Sequence, residues 1–102
     1  MTVQGKRIFE TTRDALDRLQ PGEYMRLDDP SGDYQSSWFC ACPGSSPDGS
    51  VILGNLQHHK ITEHNHGTIT VSPSILVWSP WSGNPHVEHY HGFLERGVWR
   101  TA

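Results

Sequence analysis

Residues 67–78 read "GTITVSPSILVW", and this run constrains the fold more than any other part of the chain. Thr, Ile and Val crowd it, and β-branched side chains suit a pleated strand better than a helix. Pro73 interrupts it and has no backbone N–H to give to a ladder, so the strand carries an edge or a bulge there. Shorter runs of the same kind flank it: "EYMRLDD", "YQSSWFCAC", "VILGNLQ", "HVEHYHGFL" and "VWR". "DPSGD", "PGSSPDGS" and "SPWSGNP" separate them with turn formers, and "ERG" joins the last two as a hairpin. "TTRDALDRL" reads as a short helix that Thr11 or Thr12 caps, with Asp14 three residues after Thr11. Residues 1–9 read as a polar lead ending in Ile8 and Phe9, and "HHKITEHNH" as polar and irregular. The expectation is a mainly β domain, a small barrel or sandwich of about six short strands with one N-terminal helix.

At 102 residues there is room for one core and one domain. Hydrophobic residues are 34% and charged residues 19% of the chain, so the core is thin and a staple would help it. No segment approaches the ~18 apolar residues of a membrane span. "MTVQGKRIFE" lacks the apolar stretch of a secretory signal, which makes the cytoplasm the expected compartment. The net charge of −3, without a Lys/Arg cluster, argues against nucleic acid held through its phosphates.

Two pairs of side chains suggest the staple. Cys40 and Cys42 in "WFCACPG" are two apart, as are His89 and His91 in "HVEHYHGFL". On a strand, residues i and i+2 share a face. Two thiolates and two imidazoles make a common tetrahedral zinc shell, and a closed shell stabilises the fold directly. His86, His64 and His66 are alternate ligands. The other reading of the cysteines is two buried thiols packed as small apolar residues. A disulfide across C-x-C would close a strained small ring, and a reducing compartment disfavours it.

"TVSPSIL" places Ser72 and Ser74 around Pro73, where their hydroxyls serve local hydrogen bonding or chemistry. Four stretches together, "PGEYMRL", "WFCACPG", "TVSPSIL" and "HGFLERG", give the chain a resemblance over about residues 20–100. It resembles a family of small bacterial and phage proteins of unknown function, many of them labelled "ammonia monooxygenase". Relatives serve as peptidases in bacterial ubiquitination-like (Bub) operons. The resemblance implies a zinc-stabilised β fold and, in those relatives, serine peptidase activity on ubiquitin-like conjugates. Carried over by position, Ser74 or Ser72 is the nucleophile, and His91 matches a near-constant histidine. Many relatives have further cysteines in the first segment and one just before that histidine, where this chain has Glu88, His89 and Tyr90.

The two roles open to His91 compete, because an imidazole bound to zinc is a poor base for a serine. In a hydrolase, Ser74 would attack, His91 or His86 would take the proton, and Glu88 or Asp48 would orient it. A metallohydrolase would use Glu63 or Glu88 as base, although H-E-x-x-H is absent. The alternative is a phage-encoded binding protein that blocks a host or defence factor, with a structural zinc. Its contact surface would draw on Trp78, Trp81, Trp99 and Tyr90. Either way the partner or substrate is a protein; the oligomeric state stays open.

Overall fold

A computed structural model describes residues 2–28, 37–45, 49–79 and 87–102. In chain order the elements are β1 (Thr2–Gln4), β2 (Lys6–Ile8), α1 (Arg13–Asp17), β3 (Glu23–Leu27), β4 (Ser37–Ala41), β5 (Leu53–Asn55), β6 (Lys60–Glu63), β7 (Ile69–Ser79), β8 (Val87–Glu95) and β9 (Val98–Thr101). A 3-10 turn, Asn65–Gly67, links β6 to β7. The strands form a five-stranded sheet, β1-β9-β8-β7-β6, and a four-stranded sheet, β2-β3-β4-β5. Of the two expected architectures this is the sandwich, with nine described strands where the sequence suggested about six.

Strand alternation sorts the core into two layers. On the four-stranded sheet, Tyr24 and Cys40 are cross-strand partners. They face a cluster from the other sheet that includes Ile69, Val71, Ile75, Tyr90, Leu94 and Trp99. The intervening residues Met25, Leu27, Phe39 and Ala41 take the opposite face, where Ala15, Leu16 and Leu19 of the helical segment cover them. Thr12 caps α1 by accepting the Ala15 N–H at 3.2 Å, so of the two threonines the second is the cap. The four-stranded sheet is therefore buried on both faces. The five-stranded sheet keeps a polar outer face on β8, where exposed His91 and Glu95 alternate with buried Tyr90 and Leu94.

The polar lead at residues 2–8 is part of both sheets. β1 pairs antiparallel with β9, and β2 runs parallel to β3. Gly5 makes the crossing, and its N–H donates to the Gly97 carbonyl at 2.8 Å. A Cβ at Gly5 would lie 2.6 Å from that carbonyl oxygen and 3.1 Å from Trp99 Nε1, so no larger residue fits without movement. Arg7 adds a second tie between the sheets. Its guanidinium lies 4.8 Å from the Phe9 ring and 4.6 Å from the Trp38 ring, and it donates to Glu63 on β6 at 3.0 Å. The β8–β9 hairpin turns through Arg96 and Gly97, both at positive φ (49° and 77°), as a two-residue primed turn requires. Among the described residues no helix is long and apolar enough to cross a membrane.

Candidate functional site

The site forms where β7 departs from regular pairing with β8. Val71 pairs with Leu94 and Ile75 with Gly92, so Ser72, Pro73 and Ser74 together stand opposite Phe93. A bulge here fits Pro73, which has no N–H to lose, and the Ser72–Pro73 peptide is cis. Past the bulge Leu76 stands opposite His91 and Val77 opposite Tyr90, before a second register shift between Val77 and Trp78.

This geometry brings Ser74 and His91 together. His91 Nε2 lies 3.2 Å from Ser74 Oγ, at the long end of the range for a nucleophile and its base. His91 is exposed and Ser74 half-buried. A groove of about 350 Å³ opens beside the serine, lined by Thr70, Ser72, Pro73, Ser74, Phe93 and Glu95. His91 lines a second groove of about 490 Å³ with His89 and the Pro43–Gly44 turn. Ser72 is exposed and lines the first groove, but of the two serines it is Ser74 whose hydroxyl meets the histidine. A second histidine, His59, reaches the same residue from behind: its Nε2 is 3.2 Å from the Ser74 carbonyl oxygen. From sequence alone His59 lies in the polar, irregular run "HHKITEHNH"; its position immediately before Lys60, the first residue of β6, is what puts it here.

The metal expectation meets a different arrangement. Cys40 and Cys42 are fully buried, unbonded to each other as a disulfide, and packed in the core with Tyr90 and Trp99. A hydrogen bond with Cys42 and burial push the Cys40 thiol well above its usual range, which favours the protonated form. Burial, and then the neighbouring Cys42, also raise the Tyr90 phenol. Tyr90 therefore shares its side of β8 with the cysteines, and exposed His91, the next residue, takes the other side. His89 stands at a second register shift, between the Val77–Tyr90 and Trp78–Glu88 pairs. Among the described residues no group of three or more His, Cys, Asp or Glu side chains could hold a metal.

The remaining candidates are dispersed. His64 Nε2 sits 2.7 Å from Thr70 Oγ1, and His66 is exposed at positive φ in the 3-10 turn. Glu63, a possible metallohydrolase base, is paired with Arg7. Trp99 is buried, with Nε1 donating to the Gly22 carbonyl at 2.9 Å, and its ring meets Tyr90 edge-on at 5.6 Å. Both aromatics thus belong to the core and not to a contact surface. His86, Asp48 and Trp81 lie outside the described residues, as do the side chains of Glu88 and Trp78. Comparison of the chain with family profiles, with curated proteins and with solved structures finds no match in any of the three.

Proposed function

We propose that the chain is a serine hydrolase of the acyl-transfer type, with Ser74 as nucleophile and His91 as general base. The observation that carries this reading is the 3.2 Å contact between Ser74 Oγ and His91 Nε2 beside an open groove. In the reaction, the Ser74 oxygen attacks a carbonyl carbon placed in the groove while His91 Nε2 accepts the hydroxyl proton. The tetrahedral intermediate collapses as the imidazolium returns that proton to the leaving amine. Water, activated by the same imidazole, then releases the acyl group from Ser74. The nitrogen facing the serine carries this chemistry only while no metal occupies it, and zinc supplies no step.

The resemblance to the Bub-operon peptidases directs the substrate to ubiquitin-like conjugates, cleaved in the cytoplasm. The test is cleavage of a ubiquitin-like protein fused to a reporter. Wild type is expected to cut, and Ser74→Ala and His91→Ala to lose cutting while still folding. No cutting by wild type would reject the reading. Leu76 is 50% exposed directly opposite His91, and this favours the second reading, a non-enzymatic surface that binds a protein partner. The zinc implied by the resemblance would need Cys40 and Cys42 with ligands from outside the described residues, such as His86. Elemental analysis decides this: one zinc per chain, released by Cys40→Ser, would establish it, and a metal-free folded chain would reject it.

A further inference from the structure

Carbonyls in an interior strand ordinarily accept from the neighbouring strand on one side or the other. β7 pairs with β8 on one side except across the Ser72–Ser74 bulge, and on its other side β6 pairs only from Glu63–Ile69 to Lys60–Ser72. The ladder stops there because the chain before Lys60 turns away: the His59 backbone N–H donates to the Leu56 carbonyl at 3.0 Å. The ring of His59 takes up what its backbone abandons. Its Nε2 lies 3.2 Å from the Ser74 carbonyl oxygen, two residues past the last ladder pair. A carbonyl oxygen only accepts, so Nε2 carries a proton and donates it. His59 Nδ1 is buried and has no hydrogen-bond partner among the described residues.

We infer that His59 is a positioning residue for Ser74, in which an imidazole N–H replaces the missing strand and fixes the bulged serine so that its hydroxyl meets His91. The inference takes its catalytic consequence from the hydrolase reading above. Three residues stand opposite one in this bulge, so the ladder on the β8 side does not by itself set the Ser74 peptide plane. Anchoring its carbonyl limits rotation about the bonds that aim Oγ. The hydrogen bond of His59 reaches Ser74 at its backbone carbonyl and not at Oγ, so it acts through the backbone.

The test compares His59→Ala, which removes the donor, with His59→Gln, which keeps a side-chain N–H at similar reach. The readout is the rate at which a fluorophosphonate probe phosphonylates Ser74, with the melting temperature measured in parallel. The expected result is a rate lowered about tenfold or more in His59→Ala, since small misplacements of a reacting group have effects of this size. In His59→Gln the rate should return to within about threefold of wild type, even where both variants melt alike. Equal rates in wild type and His59→Ala, or equally slow rates in both variants, would overturn the inference. Failure of wild type to react would instead reject the hydrolase reading. Positioning would then be read from ring ¹⁵N spectra: His59 in the Nε2–H form, and His91 signals that move in His59→Ala and return in His59→Gln. Unmoved His91 signals would overturn it.

Discussion

The two faces of β8 carry opposite chemistry on alternate residues. Inward, Tyr90 and Leu94 join a packed layer with Cys40, Cys42 and Trp99. Outward, His89, His91, Phe93 and Glu95 look onto grooves. The polypeptide between them is the same, so from Tyr90 to Glu95 the difference comes from the period of two. It teaches that a pair sharing a face on one strand and a pair sharing a face on another need not share a ligand. Each pair fixes its own side, and the packing of the sheets decides whether the sides meet. Here the cysteines meet Tyr90, and His91 meets Ser74. The inner face holds the fold together and the outer face is available for chemistry.

If that division is right, substitutions on the two faces separate cleanly. The largest effect is expected from His91→Ala. On the hydrolase reading it lowers the cleavage rate about 10³-fold, roughly 4 kcal/mol of transition-state stabilisation, while the melting temperature stays near wild type. A large loss of stability with unchanged cleavage would break the division. Leu94→Ala, three residues along on the inner face, should do the reverse. It removes a fully buried side chain and should cost about 3 kcal/mol in denaturant unfolding, with the rate per folded molecule unchanged.

Gly5→Ala tests the crossing that joins the sheets. Its Cβ would meet the Gly97 carbonyl at 2.6 Å, a backbone atom that cannot swing aside, and the expected cost is about 2 kcal/mol in the same measurement. The smallest effect belongs to the exposed outer rim. Arg100 pairs with Glu95 at 2.7 Å and stacks 4.4 Å from the Phe93 ring. Arg100→Ala should still cost less than about 1 kcal/mol, because solvent screens an exposed pair. A larger cost would mean that the outer face is also part of the fold's support.

The sequence made the β8–β9 hairpin legible because alternating burial and the "ERG" turn agree at every level. β7 was legible too, down to the irregularity that Pro73 imposes. Ser74 and His91 were singled out, and they meet. The polar three-residue strands β1 and β2 escaped, because their pairing is set by distant partners and by Gly5, with little local preference. β6 escaped for the same reason, and with it the role of His59, whose histidine-rich surroundings read as a solvated loop. The proposed four-ligand shell rested on local periodicity alone. Tyr90 was already placed opposite the histidines, but only the packed sheets show that the cysteines stand on its side.

The central claim is that the outer face carries a reactive serine. Intact-mass measurement of folded protein treated with a fluorophosphonate tests it most directly. The account predicts one adduct per chain, mapped to the peptide containing Ser74, absent in Ser74→Ala and slowed in His91→Ala. No adduct on folded wild type, or an undiminished one in Ser74→Ala, would contradict it.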